Sequence, residues 1–215
     1  MKGIGGVSQE AALAGLTVMT TAVEPIQLAE YQQRLAKACE LMQQQGLDLL
    51  YLNAGTNLSY FTGTDWYPSE RLVGALLSAT GQLLYISPVF EVPTLQGYQQ
   101  VKAEIAGWHE HENPYQLLVE QARRLSGLPN PRLALDDSSS FFIFEGLRQQ
   151  VPDWQIQSGK AVTQGCRAQK SAAELAIMQR AMDMTLEVHK AVASILYPRI
   201  STAEVEVFIR SEERR

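Results

Sequence analysis

Apolar residues recur at two spacings along the chain, and these spacings predict alternating helices and strands. Helical periodicity covers residues 28–45, and Gly46 follows at the position where a glycine commonly ends a helix. The short apolar run 48–52 then predicts a buried strand, and residues 53–57 form a turn cluster. A helix, a strand and a turn in close succession are typical of an α/β protein.

Two apolar runs, 71–78 and 82–87, are separated by Ala79-Thr80-Gly81, which predicts a β-hairpin. Because a hairpin is antiparallel while strands that alternate with helices are parallel, we expect a mixed sheet flanked by helices. Further elements are expected as a strand at 102–108, a helix from Asn113-Pro114 to Gly127, a strand at 132–135, a helix from Ser138–Ser140 to near Pro152, and a strand at 154–157.

The pattern changes after Gly159. Two capping boxes, which begin at Ser171 and Ser201, each predict the start of a helix. Because a helix pair alone buries little surface, we expect these helices to open a second, incomplete domain; the alternative is that they pack onto the first. Their apolar faces would then lack a cover. The residues concerned are Leu175, Met178, Met182, Val205 and Phe208.

The predicted organisation has three parts. Residues 1–27 form an N-terminal arm that is either loosely ordered or a short helix, because polar residues interrupt any signal-peptide core. Residues 28–160 form the α/β domain. Residues 161–215 form a linker and the first two helices of the second domain.

Charge and composition exclude several classes of function. The chain has 215 residues and a net charge of −5, and its lysines and arginines do not form a run, so no nucleic-acid partner is expected. No apolar stretch is long enough to span a membrane, and two cysteines are too few for a disulfide scaffold. We expect a cytoplasmic protein.

Few residues carry recognisable chemistry. His109 and His111 would share a strand face and could begin a metal site, but a structural zinc needs about four ligands. His189 is more consistent with a packed or capping histidine. Cys166 is predicted in a loop beside Arg167, which could lower its pKa. No catalytic or metal-binding residue is assigned.

The connection 60–71 is richer in aromatic residues than a solvated loop should be. Trp66 and Tyr67 therefore indicate a substrate subsite or an interface, and Arg71 adds a guanidinium suited to a carboxylate. The alternative is that the two rings simply fold back onto the core.

Three segments together resemble one family. They are Asn53-x-x-x-Asn57-Leu-x-Tyr60-Phe-Thr-Gly63, the hairpin 71–88, and Arg167-x-x-Lys170-Ser171-x-x-Glu174-Leu175-x-x-Met178-x-x-Ala181. In this order and spacing they resemble the N-terminal domain of the creatinase/prolidase family and the first helix of its pita-bread catalytic domain. The resemblance covers about residues 28–210.

The resemblance implies Xaa-Pro aminopeptidase or Xaa-Pro dipeptidase activity for a longer parent protein. That family uses two metal ions (manganese, cobalt or zinc) held by two Asp, one His and two Glu that lie downstream of the matched helix. No residue of this chain matches a metal ligand, so the chain is expected to hold no cofactor and to be inactive alone.

The expected role is therefore that of the non-catalytic N-terminal portion of a proline-specific metallopeptidase. By resemblance, such a domain contacts the other subunit of a homodimer and restricts substrates to short X-Pro peptides. One alternative is a stand-alone binding or regulatory domain of the same fold. Another is an unrelated small α/β enzyme.

Overall fold

The chain forms two compact units in the computed structural model, which describes residues 4–212. The sheet unit is Ile26–Gln169. The helical unit combines the residues before 26 with those from Lys170 onward. None of the helices within residues 4–212 is both long and apolar enough to cross a membrane.

The sheet unit contains six strands. They are β1 Leu49–Asn53, β2 Gly74–Ser78, β3 Leu83–Pro88, β4 Glu104–Trp108, β5 Leu133–Leu135 and β6 Ile156–Ser158. The helices of both units are, in chain order, α1 Gln9–Ala14, α2 Leu28–Gln44, α3 Thr56–Thr62, α4 Val92–Tyr98, α5 Pro114–Ser126, α6 Phe141–Gln150, α7 Lys160–Arg167, α8 Ala172–Ile195 and α9 Thr202–Glu212. Of these, α1, α8 and α9 belong to the helical unit.

The strands form one mixed sheet in the order β4-β3-β2-β1-β5-β6. Strand β2 is antiparallel to both of its neighbours, and the other neighbouring pairs are parallel. The chain therefore builds one side of the sheet after β1 and then returns to add β5 and β6 on the other side. The predicted hairpin and the predicted α/β fold with a mixed sheet are confirmed.

Both faces of the sheet are covered. Leu49 and Tyr51 of β1 pack with residues of α5 and α6, whereas Leu50 and Leu52 pack on the other face with residues of α2, α3 and α7. Successive strand residues point to opposite faces. Because neither face meets water, β1 is a continuous apolar run rather than an alternating one.

Helix ends that the sequence marks clearly lie where predicted. The Asn113 side chain accepts a hydrogen bond from the Tyr115 backbone at 3.0 Å, and Gly127 ends α5 with a φ of +68°. Ser171 and Glu174 form both hydrogen bonds of a capping box at the start of α8. These ends are specified locally, by the side chain or the backbone freedom of one residue.

Helices α3, α4 and α7 were not predicted. Helix α3 begins in the expected turn cluster, is rich in Thr, Asn and Ser, and is held by the buried side chains of Leu58 and Phe61. Helix α7 lies in the stretch assigned to a linker, and it packs against α2. That packing carries the sheet unit to Gln169, beyond the boundary at residue 160 that the sequence indicated.

The helical unit has its own small core. Phe208 of α9 is 1% exposed and packs with Ala191 and Ile195 of α8 and Ala12 of α1. The expectation that Phe208 lacks a cover is therefore wrong, because α1 provides one. Another face of α8 is exposed, and its residues, here called the α8 stripe, are Leu175, Met178, Met182 and Leu186.

The carboxyl ends of β1 and β5 are joined through the buried Asp136. One carboxylate oxygen accepts the backbone N–H of Asn53 at 2.6 Å, and the other accepts the backbone N–H and the hydroxyl of Ser138, both at 2.7 Å. Burial raises the pKa of Asp136, and these hydrogen bonds act in the opposite direction. The carboxylate fixes both loops that leave this edge of the sheet.

We expect Asp136→Asn to lower the free energy of unfolding by about 1–3 kcal/mol, because one acceptor becomes an amide group that faces a backbone donor. Asp153→Asn is the matched control, since Asp153 is exposed and lies away from this junction; its effect should stay within about 0.5 kcal/mol. Urea unfolding at neutral pH measures both. Equal effects of the two substitutions would contradict the role given to Asp136.

Candidate functional site

The segment 60–71 divides between α3 and the loop that leads to β2. The first residues, including Tyr60 and Phe61, belong to α3. Arg71, at the end of the loop, contacts Phe90 just after β3 and Glu110 just after β4. The loop therefore lies at the edge of the sheet where β3 and β4 end.

Trp66 and Tyr67 are adjacent in sequence but lie in different surroundings. Trp66 packs against the core of the sheet unit, and its ring meets the ring of Tyr98 edge-on with the centroids 6.1 Å apart. Tyr67 is 86% exposed. The alternative that both rings fold back onto the core therefore holds for Trp66 and not for Tyr67.

Arg71 is oriented by the protein's own carboxylates. Its guanidinium lies 3.2 Å from both Glu70 and Glu110, and its central carbon lies 5.3 Å from the centre of the Phe90 ring. Ion pairs exposed in this way contribute only about 0–1 kcal/mol each. A partner carboxylate can therefore replace these glutamates at little cost.

Glu91 adds a third carboxylate near Arg71. One of its oxygens is buried and has no hydrogen-bond partner within residues 4–212. Burial raises the pKa of Glu91, while the positive charge of Arg71 lowers it. Arg71 thus lies among three carboxylates of the chain itself, those of Glu70, Glu91 and Glu110.

Two further aromatic residues extend the exposed surface of this loop. Phe90 is 56% and Tyr98 is 53% exposed. We call Trp66, Tyr67, Arg71, Phe90 and Tyr98 the aromatic surface. Aromatic residues and arginine are enriched in the cores of protein interfaces, so this composition suits a contact with a peptide or another protein. Phe90 and Tyr98 are not among the predicted site residues, although the apolar pair Val89-Phe90 directly after the strand-closing Pro88 is a signal in the sequence.

A second polar cluster lies where β1 and β5 end. The Asn57 side-chain oxygen accepts a hydrogen bond from Arg167 at 2.8 Å, and the Asn57 amide donates to Asp137 at 3.5 Å. Asp137 also accepts the Thr163 hydroxyl at 2.8 Å, and the Tyr60 hydroxyl donates to a backbone carbonyl of α7 at 3.0 Å. These bonds fasten α3 and α7 to the end of β5, which is a structural role.

The histidines do not form a site. His109 and His111 follow β4 instead of lying on it, and their rings stack with the centroids 5.5 Å apart. His189, expected to be packed or capping, is exposed. Within residues 4–212, no group of three or more His, Cys, Asp or Glu side chains is placed to hold a metal ion.

Both cysteines are buried. Burial raises the pKa of the Cys39 thiol, and it raises that of Cys166 to about 11. The expectation that Arg167 lowers the Cys166 pKa from a loop position is wrong. Cys166 lies inside α7 against the core, where desolvation outweighs the nearby charge of Lys37.

We therefore expect neither thiol to react with Ellman's reagent in the folded chain, because the thiolate is the nucleophile and is scarce at such pKa values. Both should react promptly in urea. Tyr67→Cys places a third thiol at an exposed position and should be labelled within minutes in the folded protein. Labelling of Cys39 or Cys166 as fast as that control would contradict their burial.

Comparison with known proteins places the sheet unit in a family. Residues 34–169 match the model of the creatinase/prolidase N-terminal domain. An uncharacterized peptidase of Schizosaccharomyces pombe is 27% identical over 194 residues, which are 84% of this chain and 41% of that protein. The chain spans about half the length of the curated relatives it matches.

Solved structures share the fold. A dipeptidase, PepE from Mycobacterium ulcerans, is similar with a TM-score of 0.75 and 24% identity over 88% of this chain and 51% of its own. The creatinase/prolidase N-terminal domain of an X-Pro dipeptidase from Streptococcus pyogenes gives a TM-score of 0.52 and 19% identity over 62% of this chain and 98% of its own. Because the matched model covers most of the sheet unit, the chain belongs to the creatinase/prolidase N-terminal domain family.

Proposed function

We propose that this chain is the non-catalytic N-terminal portion of a metal-dependent, proline-specific peptidase, either an Xaa-Pro dipeptidase or an Xaa-Pro aminopeptidase. The family match over 34–169 is the observation that carries the proposal. The domain serves subunit contact and limits the substrates of the parent enzyme to short X-Pro peptides.

The α8 stripe supports the view that a further domain belongs with this chain. Its four residues recur at i, i+3, i+7 and i+11, so they form one continuous face of the helix. They are between 48% and 61% exposed. Burying one such side chain fully contributes about 1.5–3 kcal/mol, so a domain that covers the stripe gains substantial stability. The catalytic half of the peptidase is the cover that we propose.

The two divalent metal ions of the parent enzyme do not fit the residues described here. A two-metal site needs several carboxylates and imidazoles that converge on one point, and no such group occurs within residues 4–212. We therefore assign no step of the hydrolysis to this chain. The ligands belong to the catalytic half.

The aromatic surface is the part of the sheet unit best suited to the proposed contact. Tyr67, Phe90 and Tyr98 offer large exposed rings, and Arg71 offers a guanidinium held by exchangeable ion pairs. In a homodimer, a surface of this kind can close over the mouth of an active site and exclude long peptides. A few residues near the centre of such a contact carry most of the binding energy, and truncating one of them costs about 2 kcal/mol or more.

A stand-alone binding or regulatory domain is the second candidate. The core around Phe208 favours it, because the helical unit buries part of its apolar surface without any other domain. The coding sequence after the Arg215 codon distinguishes the two. An in-frame H-x-x-G-H followed by a late pair of glutamates supports the peptidase, and their absence supports the stand-alone domain.

We expect the chain itself to show no hydrolysis of an Xaa-Pro dipeptide in excess manganese, because water without a bound metal is a poor nucleophile at neutral pH. The chain extended by its downstream coding sequence should hydrolyse the same dipeptide. A blank that holds manganese alone is the control. Turnover by the present chain above that blank would overturn the assignment.

In the extended enzyme, we expect the double substitution of Tyr67→Ala and Phe90→Ala to raise the dimer dissociation constant by about tenfold or more, as the loss of an interface anchor does. Hydrolysis of a longer X-Pro peptide should rise relative to that of the dipeptide. Phe141→Ala is the matched control, since Phe141 is 74% exposed on α6, outside the aromatic surface. The same shift in the control would argue against a specific contact.

A further inference from the structure

Residues 4–20, the first described part of the helical unit, are fastened to α8 by backbone hydrogen bonds. The Gly5 N–H donates to the Ala193 carbonyl at 2.9 Å, and the Val7 N–H donates to the Ser194 carbonyl at 3.1 Å. Both carbonyls belong to the last turn of α8, where no intrahelical donor is available. The N-terminal segment therefore completes the hydrogen bonding of the α8 end.

The attachment depends on a glycine. Gly5 has a φ of +78°, and a Cβ atom there would lie 2.5 Å from the Leu196 carbonyl oxygen. Gly6 has a similar φ of +84°, but a Cβ atom at this residue would meet nothing within 4 Å. The two neighbours thus share the backbone requirement. Only at Gly5 does the contact with α8 also require a residue without a side chain.

Helix α1, which follows these residues, packs onto the core of the helical unit. Ser8 caps it by accepting a hydrogen bond from the Ala11 backbone at 3.2 Å. Ala12, on the inner side, is 8% exposed and joins the cluster of Ala191 and Phe208. Small side chains at 12 and 191 suit a close approach of the two helices. Helix α1 thus packs on α8 and contributes to the core that it shares with α8 and α9.

The far end of the segment is also held. The Arg180 guanidinium, midway along α8, donates a hydrogen bond to the Met19 carbonyl. The segment is therefore attached at the end of α8, along its apolar face and again near its middle. Such distributed contacts specify one position for the segment, in contrast to the loosely ordered arm that the sequence left open.

We propose that residues 4–20 form an intramolecular strap that covers one face of α8 and α9 in place of another domain. The strap lies outside the family match, which begins at residue 34. It leaves the α8 stripe exposed, so it stabilises the helix pair without closing the face assigned above to a catalytic half. A partner that uses the strapped face must displace residues 4–20. This inference does not rest on the proposed function.

Hydrogen exchange on the full chain tests the strap. In Ala12→Asp, which places a carboxylate in the apolar core, the amides of 191–195 and of α9 should exchange at least about tenfold faster than in the unsubstituted chain. Ala11→Asp puts the same charge one residue away on the exposed side of α1. In this variant, the exchange rates of the same amides should stay within about twofold of those in the unsubstituted chain. The amides of β1 should be unchanged in both variants and report that the sheet unit is intact.

A second pair tests the strap without introducing a charge. Gly5→Ala and Gly6→Ala carry the same penalty for a positive φ, but only the first forces a contact with Leu196. Gly5→Ala should therefore speed exchange at 191–195 by several-fold more than Gly6→Ala.

The proposal would be overturned if the amides of 191–195 exchanged at the same rate in Ala12→Asp as in Ala11→Asp, and at the same rate in Gly5→Ala as in Gly6→Ala. Protection of 191–195 that grows with protein concentration would also overturn it, because the strap would then come from a second copy of the chain. Protection that is independent of concentration, together with the expected differences, supports an intramolecular strap.

Discussion

The hydrogen bond from the Asn53 backbone to the buried Asp136 carboxylate joins the two strands around which the sheet is organised. These residues are 83 positions apart, and β2, β3 and β4 with their connections lie between them. Bringing such distant segments together costs conformational entropy that grows slowly with loop length. The Asp136 carboxylate helps to offset this cost, because it satisfies donors from the ends of both β1 and β5.

The ends of β1 and β5 also mark the topological switch point of the sheet. Strand order reverses between β1 and β5, and the helices that follow them, α3 and α6, lie on opposite faces of the sheet. In doubly wound sheets this arrangement opens a crevice that binds ligands. In this chain, Asp136 accepts donors from both strand ends, Asp137 accepts hydrogen bonds from Asn57 and Thr163, and Asn57 accepts one from Arg167. The exposed aromatic and charged groups lie instead beyond β3 and β4.

The sequence predicts the elements whose signals are local. The strand at 48–52, the hairpin, the helix after Asn113 and the capping box at Ser171 each depend on a few neighbouring residues, and all are present. Helices α3 and α4 contain Gly, Pro, Thr or Asn and owe their stability to buried apolar residues such as Leu58 and Leu95. Tertiary packing of this kind outweighs weak intrinsic propensity, so no local pattern reveals it.

At the candidate site, too, local sequence patterns do not reveal how single side chains pack in the folded chain. Trp66 and Tyr67 have similar chemistry and adjacent positions, yet only Trp66 packs on the core, where it meets Tyr98 of the unpredicted α4. Cys166 changes from a loop thiol with a lowered pKa to a buried thiol with a raised one for a similar reason, because the unpredicted α7 carries it inward. Errors about the site therefore follow from errors about the elements.

Helix α8 connects the fold of the chain with its proposed place in a larger enzyme. A surface helix of a globular protein has one apolar face, whereas a helix with apolar residues on several sides belongs to an interior. In α8, Ala191 and Ile195 belong to the core shared with the strap and α9, while the α8 stripe, from Leu175 to Leu186, lies exposed on another face of the helix. A contiguous exposed stripe of this kind suits the domain contact proposed above. Because the strap holds α8 near its middle and at its carboxyl end but leaves the α8 stripe exposed, the helix is anchored on one face and keeps another face open to a partner.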